Sequence, residues 1–285
     1  MLGLLASGQP EAGPARELTL DVLTYNVFLL PVLPDSQSVR APLMADELKG
    51  FDVVLLQEAY SDRHRGMILD GLADDYPYRS QVLGRDRWLK QDGGVVILSR
   101  WPIEAERELL FGPLCERRDC WADKGVLYAR INKEGGRFHV FATHLQSGAD
   151  ARSTRERQMA AIRALIDEMA LAEDEPVLIG GDLNTDRFSD PATGAFTRML
   201  AILRAVQPDP PSGGAYEPTY DPARNRLSQG RTGRHIDYVL YAADHLRPDE
   251  ASTEVRRIVA ADGPLSDHFA ARGRFVFTLP NPPAN

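Results

Sequence analysis

Asn26, Glu58, Thr143-His144, the run Gly180-Gly181-Asp182-Leu183-Asn184, Asp237 and Asp267-His268 all stand at or just past the ends of apolar, β-prone runs. In an α/β sheet protein, strand ends are where residues far apart in sequence converge on one pocket. Carboxylates, amides and histidines together suit a hard divalent cation, a phosphate and an activated water. The set therefore points to hydrolysis of a phosphate ester.

Each member has a specific task in such chemistry. Glu58 follows the apolar stretch VVLLQ and Asn26 closes LTLDVLTYN, so neighbouring strands would offer one anionic and one neutral oxygen ligand, a pair suited to Mg²⁺. Either residue alone would be an ordinary solvated strand end. In GGDLN, the glycines let backbone pass close to a ligand, and Asp182 and Asn184 point the same way if the chain stays extended. A simple turn at Asp182 is the competing expectation. His144 and His268 can accept a proton from water or donate to developing negative charge. Asp237 can hold the His268 ring in one tautomer. His64, His139, His235 and His245 are expected in surface or structural roles. No nucleophile elbow and no GxxxxGK[ST] loop occurs, which leaves direct attack by water.

Alternating elements must position these residues. Strands are expected at 18–26, at FDVVLLQE, and at 93–99, 125–131, 137–144, 176–182, 236–241 and RFVFTL near the C-terminus. The tip Glu134-Gly135-Gly136 predicts a hairpin. Pro31, Pro34 and Pro42 are expected to break the chain, with a short helix over about 39–49 ended by Gly50. Met159, Ile162, Ile166 and Met169 recur at helical spacing and predict a helix over 154–171, with Ser153 and Glu156 as its capping box. A second helix is expected over 191–206, and residues 207–234 read as a long surface loop of the kind that often carries function.

Composition bounds the rest. The 285 residues are 43% hydrophobic and 26% charged, enough for a sizeable core, and no linker interrupts the alternation. One domain is expected over 18–279, with tails at 1–17 and 280–285. The net charge of −8 disfavours a long nucleic-acid footprint. Lys49, Lys90, Lys124 and Lys133 are the only lysines. Cys115 and Cys120 stand close enough to favour a disulfide over two free thiols, which would suit an oxidising compartment. The N-terminal stretch lacks the basic start of a secretion signal, and no apolar run approaches a membrane span of about 20 residues, so a soluble protein is expected.

Taken together, TYNVFLLP, LLQEAY, GGVVILS, ATHLQ, GGDLNTD, HIDYVLY and LSDHFA resemble the endonuclease/exonuclease/phosphatase superfamily over nearly the whole chain. YNVFLLP, DKGVLYARI with the upstream Asp119, and PTYDPARN resemble, within it, the neutral sphingomyelinases of the bacterial sphingomyelinase C type. The superfamily's nucleases usually carry a lysine soon after the Gln-Glu pair; Ala59-Tyr60 stands here. The resemblance implies an α/β four-layer sandwich of two mixed β-sheets packed face to face with flanking helices. It implies Mg²⁺-dependent cleavage of a phosphodiester, with Mn²⁺ or Co²⁺ as substitutes, giving ceramide and phosphocholine from sphingomyelin. By motif match, Glu58 binds the main metal with Asn26 close by and Asp267 as a second acidic residue. His268 is general base, Asp237 orients it, His144 and Asn184 contact the phosphate, and Asp182 positions water or metal. Asp119 and Lys124 fit an acid and lysine pair whose lysine can meet substrate phosphate, or else a loop salt bridge.

One departure is clear. Secreted bacterial sphingomyelinases usually carry a hairpin with exposed aromatics before the final Ser-Asp-His, and 242–265 has no Trp, Phe or Tyr. Another surface, such as Phe28, Leu29, Leu30 and Leu33, would have to meet lipid. The expected partner is a phospholipid met by a peripheral monomer, secreted or periplasmic, with a cytoplasmic home as the alternative and no nucleic acid. A nuclease or a sugar- or inositol-phosphate phosphatase would share every catalytic residue. A non-catalytic binding protein on this fold would have lost at least one of Glu58, His144, Asp182, Asn184 or His268, and all five are present.

Overall fold

The structure is a computed structural model and describes residues 15–30, 36–88 and 90–279. In chain order the elements are β1 (Arg16–Asn26), α1 (Gln37–Glu47), β2 (Val53–Gln57), α2 (Asp62–Gly71), β3 (Tyr78–Arg79), β4 (Val96–Ser99), β5 (Ile103–Leu110), β6 (Gly125–Lys133), β7 (Gly136–His144) and α3 (Arg152–Met169). There follow β8 (Val177–Asp182), α4 (Asp190–Thr193), α5 (Ala195–Leu203), β9 (Ala205–Val206), β10 (Asp237–Ala242), β11 (Glu250–Arg256), β12 (Val259–Ala260), β13 (Gly263–Pro264) and β14 (Ala270–Leu279).

Two mixed six-stranded sheets result, with orders β11-β14-β1-β2-β4-β3 and β5-β6-β7-β8-β10-β9. Each contains one parallel pair, β1 with β2 and β7 with β8, and antiparallel neighbours elsewhere. Strand alternation sorts the apolar side chains into layers. Leu20, Val22 and Leu55 of the first sheet meet Leu127, Val140 and Leu178 of the second in the shared core. Leu23, Tyr25 and Leu56 turn the other way onto Met44 of α1 and Ile68 of α2. Phe141 and Ile179 turn onto Met159 and Ile162 of α3 and Met199 of α5. Helix, sheet, sheet and helix therefore stack as the four expected layers.

Gly180 and Gly181 have a different reason from the one expected. A Cβ on Gly180 would stand 2.6 Å from Leu55 Cδ1 across the sheet interface, and one on Gly181 would stand 1.9 Å from the Thr143 carbonyl oxygen. The glycines admit neighbouring chain, and Gly181 also holds φ 142°, where only glycine is at ease.

Several local expectations are corrected. Ser153 lies inside α3, whose N-cap Ala151 makes no side-chain bond, and Glu156 pairs with Arg152 and Arg198, so no capping box forms. Pro42 sits within α1 rather than breaking the chain, while Pro31 and Pro34 lie outside the described residues. The segment expected as one helix over 191–206 is divided at Gly194, in the left-handed region at φ 61°. Strand β4 is shorter than the stretch 93–99 suggested. The β6–β7 hairpin forms as expected, with Glu134 and Gly135 both at positive φ, the turn geometry that suits strand twist. Among the described residues no helix is long and apolar enough to cross a membrane.

Candidate active site

Topology gathers the polar residues at one end of the sandwich. The parallel pairs β1–β2 and β7–β8 end there, and the antiparallel strands β10 and β14 begin there. His144 and Asp182 are register partners in the parallel pair, and Asp182 and Asp237 in the antiparallel one. Three neighbouring strands thus carry His144, Asp182 and Asp237 in one row, and register-matched side chains share a face. The first sheet supplies Asn26 from β1, Glu58 just after β2, and Asp267 and His268 just before β14. All of the sequence-expected residues Asn26, Glu58, His144, Asp182, Asn184, Asp237, Asp267 and His268 lie at this end.

His268 is held on three sides. Its Nδ1 lies 2.8 Å from Asp237 Oδ2, its Nε2 lies 3.8 Å from Asp182 Oδ2, and the Tyr220 ring stands edge-on to it with centroids 5.1 Å apart. Burial disfavours its charged form, yet the carboxylates of Asp237, Asp182 and Asp267 outweigh that cost and raise the pKa well above the ordinary histidine value. The imidazole is thus strongly basic. Its turn is fixed by Ser266, whose hydroxyl donates to the Asn26 carbonyl at 2.5 Å and accepts the His268 N–H at 3.2 Å.

The long loop expected over 207–234 is largely irregular and serves this histidine directly. Asn225 Nδ2 donates to the Ser266 carbonyl at 2.8 Å, the Ser228 hydroxyl donates to the Asp267 carbonyl, and the Phe269 N–H donates to the Thr219 carbonyl at 2.6 Å. The Thr219 hydroxyl accepts the N–H groups of Ile236 and Asp237 at 3.0 and 3.2 Å. PTYDPARN signalled this segment without revealing these contacts.

Glu58 leaves β2 in the left-handed region, φ 55°, a costly conformation for a glutamate. Its backbone is pinned from both sides: Glu58 O accepts Leu29 N–H at 3.0 Å and Ala59 N–H donates to Gly94 O at 3.0 Å. The Ala59 carbonyl takes a bond from Arg65 Nη1 at 2.6 Å, and the same nitrogen meets Asp92 Oδ2 at 3.0 Å. Arg65 also pairs with Asp62, so two of the acidic group Asp62, Asp86 and Asp92 already meet a guanidinium, while Asp86 accepts the Asp92 N–H.

Burial first, and then the neighbouring Asp267, raise the Glu58 carboxyl above its usual range, and the Asn26 amide opposes the rise. Asp267 is raised as well, by burial, with Asp182 and Asp237 adding to it against His268. A cation would relieve carboxylates that disfavour one another's ionisation in a buried site, and hard oxygen donors fit a divalent ion. Asp182, Asp237 and His268 each bring one ligand atom within 4.8 Å of the others. Two members of that trio, His268 and Asp237, already pair with each other at 2.8 Å; Glu58, Asp267 and the Asn26 oxygen are further oxygen donors at this end that could hold a metal.

His144 is buried, and its Nε2 lies 3.5 Å from Asp182 Oδ2 and 3.9 Å from Glu58 Oε1. Burial first, and then Lys124, depress its pKa to about 3, so it is neutral near pH 7. Lys124 is itself buried: its Nζ donates to the Leu145 carbonyl at 3.0 Å and meets Asp119 Oδ2 at 3.4 Å. Asp119 accepts from the Ser147 N–H and hydroxyl at 2.7 and 3.0 Å. The pair therefore braces the turn after His144.

Asp182 and Asn184 do not continue in extended chain. Asn184 turns to φ 48°, its N–H donates to Asp182 Oδ1 at 3.0 Å, and its Nδ2 donates to the Leu145 carbonyl at 3.1 Å. The side-chain bond to backbone stabilises the turn and uses one of the two Nδ2 protons. His235, two residues before Asp237, makes structural contacts: Nδ1 lies 2.6 Å from the Glu217 carbonyl and Nε2 2.9 Å from Gln207. Of the residues suggested as a lipid surface, Leu29 is fully buried, Phe28 lies half-buried under Arg40, and Leu33 is outside the described residues.

Residues 23–268 match the Endonuclease/Exonuclease/phosphatase family. Sphingomyelinase C of Bacillus cereus is 30% identical over 285 residues, which cover 89% of this chain and 85% of that protein. Sphingomyelinase C 2 of Leptospira interrogans serogroup Icterohaemorrhagiae serovar Lai is 29% identical over 311 residues, 96% of this chain but 49% of its own length. The chain thus spans about half of that relative. A crystal structure of beta toxin from Staphylococcus aureus with bound magnesium ions superposes with a TM-score of 0.78 at 27% identity, covering 90% of this chain and 99% of that one.

Proposed function

Since the chain belongs to the Endonuclease/Exonuclease/phosphatase family, we propose that it is a metal-dependent phosphodiesterase that hydrolyses sphingomyelin, or a related phospholipid, to ceramide and phosphocholine. The observation that carries this reading is the His268–Asp237 contact of 2.8 Å, set beside Asp182 and across from the Glu58 and Asp267 carboxylates. The sphingomyelinase C relatives support the choice of lipid.

His268 Nε2 takes the proton of the attacking water as its oxygen bonds to phosphorus and the phosphorus–oxygen bond on the ceramide side breaks, the departing alkoxide taking a proton from solvent, while Asp237 holds Nδ1 and stabilises the imidazolium that forms. Asp182, within reach of both histidines, positions that water. Neutral His144 and the free amide proton of Asn184 donate to phosphate oxygens as charge accumulates. Glu58, Asp267 and the Asn26 oxygen would hold the metal; the hard character of these donors and the magnesium in the related beta toxin support Mg²⁺. That ion, when bound, neutralises charge on the phosphoryl oxygens. Lys124 and Asp119 hold the His144 turn. The catalytic unit comprises 18–279 and works as a monomer. The disulfide between Cys115 and Cys120 supports an oxidising, extracytoplasmic home.

The test is phosphocholine release from sphingomyelin in mixed micelles, with Mg²⁺ or with EDTA, beside phosphatidylcholine and a DNA duplex. Metal-dependent release from sphingomyelin is expected, with Glu58→Gln raising the metal half-saturation on the order of 100-fold and His268→Ala abolishing turnover. DNA cleavage with inert lipids would overturn the substrate, and an unchanged metal titration in Glu58→Gln would remove Glu58 from the metal.

A further inference from the structure

Trp88 is 95% exposed and Trp121 70% exposed, whereas Trp101, the third tryptophan, is half-buried with its indole N–H on Asp52 at 2.7 Å. Two large aromatics left in water in one region are unusual on a monomer surface. They stand on different loops that are laced together. Gln91 N–H donates to the Trp121 carbonyl at 2.8 Å, Asp123 N–H donates to the Gln91 carbonyl at 2.9 Å, and Lys90 Nζ meets Asp123 Oδ1 at 2.6 Å. The Arg87 and Lys90 backbones pair across the tip that carries Trp88.

Both loops are rooted at the active site. The first runs through Gly94, whose carbonyl holds the residue after Glu58, and the second runs into Lys124, whose ammonium holds the turn after His144. The Cys115–Cys120 bridge closes the segment that precedes Trp121. Neither indole is therefore a loose tip that could fold back.

The charge around the indoles suits a lipid headgroup. Arg85, Arg87, Arg117 and Arg118 are all exposed beside these indoles, on a chain whose net charge is −8. Arg87 lies 3.9 Å from Asp123 and Arg117 pairs with Asp150, whereas among the described residues the guanidinium groups of Arg85 and Arg118 form no salt bridge. Indole flanked by arginine is the combination that settles at a bilayer interface, the ring among the upper acyl chains and the cations at lipid phosphates. We propose that Trp88 and Trp121, on their laced loops beside the active site, form a docking surface that seats this protein on a phospholipid bilayer. The inference rests on the phospholipid reading above for its choice of partner. It supplies a contact that the aromatic-free stretch 242–265, which here forms β11 and a short β12–β13 hairpin, does not.

The test uses the full chain in EDTA with large unilamellar vesicles of phosphatidylcholine, with and without sphingomyelin, so that binding is read without turnover. The double variant Trp88→Ala/Trp121→Ala is expected to partition onto vesicles roughly tenfold or more weakly. Trp88→Phe/Trp121→Phe should recover most of the loss, and Tyr78→Ala, exposed on β3, should bind as the parent does. Brominated acyl chains should quench indole emission in the parent and spare the Trp101 emission that remains in the double variant. Equal partitioning of parent and double variant, no partitioning of the parent, or unquenched parent emission overturns the proposal. Hydrolysis of a water-soluble nitrophenyl phosphodiester with Mg²⁺ is expected to be unchanged in the double variant. Should that ester and sphingomyelin both prove inert, the catalytic reading fails while the vesicle result still decides the docking surface.

Discussion

Asn26 Nδ2 donates to Asp182 Oδ2 at 3.1 Å, and this bond joins the end of β1 in one sheet to the end of β8 in the other. Asn26 Oδ1 meanwhile accepts the Phe28 N–H at 3.1 Å, so the amide orientation is fixed from both ends. The proposed site is thus a seam between the two sheets, and Asp182 is the group on which Asn26, His144 and His268 converge.

Replacing Asp182 by Asn keeps the shape and removes the charge. Turnover of Asp182→Asn is expected to fall by about 10²–10⁴-fold, with the circular dichroism spectrum unchanged. Steady-state kinetics with saturating metal check this, and near-normal turnover would take Asp182 out of the chemistry.

Asp237→Asn tests the relay through its pH profile. A base works deprotonated, and Asp237 is one of the charges that raise the His268 pKa. Its loss should move the acidic limb of kcat/KM to lower pH while cutting the maximum by about 10²–10⁴-fold, because the tautomer is no longer held. A limb that stays put would mean another group titrates.

Arg65 is a positioning residue in this structure, since it holds the carbonyl of the residue after Glu58. Arg65→Ala is expected to raise the metal half-saturation about tenfold with a smaller change in kcat. Arg65→Lys should fall between, because an ammonium cannot span Asp62, Asp92 and the Ala59 carbonyl as a guanidinium does. Identical metal titrations in all three proteins would reduce Arg65 to a surface ion pair.

His235 predicts part of the acid sensitivity. Burial, aided by Arg187 and opposed by the Glu217 carbonyl, lowers its pKa to about 4. The unfolded chain therefore binds the extra proton between pH 6.5 and about 4. Stability is full above the unfolded value and falls as pH drops through that window, by up to about 3 kcal/mol. His144 acts in the same direction down to about pH 3. Urea unfolding across this range should show a shallower slope in His235→Gln, by about one proton. An unchanged slope would show that His235 already takes up its proton in the folded state.

The sequence revealed this end of the molecule because strand ends are written in hydrophobicity: an apolar run that stops at Asn26, Glu58, His144 or Asp182 marks its own terminus. What it hid were contacts made at long range. Arg65 sits in DRHRGMILDG, a helix α2 with Ile68 as its one fully buried residue, too polar to announce itself. Strands β5 and β11 went unforeseen because half-exposed edge strands such as IEAERELL carry charges where a periodic apolar pattern would stand. The left-handed turn at Glu58 was hidden too, since glutamate seldom visits that region and tertiary bonds impose it; asparagine tolerates it, but the extended reading of GGDLN passed over the turn at Asn184, which bonds to Asp182 and Leu145.

Among the described strands β14 comes last in sequence, yet it lies between β1 and β11 rather than at an edge. During synthesis the ribosome releases Glu58, His144, Asp182 and Asp237 well before this strand. Until β14 emerges, β1 keeps an open flank that invites wrong pairing, and β11 has no neighbour in its sheet. His268 arrives just ahead of the same strand, seated by its pairing with β1. A chain stopped short of Ala270 would carry most of the polar residues and no seat for the proposed base, so closure of the first sheet and competence for hydrolysis would be reached in the same late step of translation.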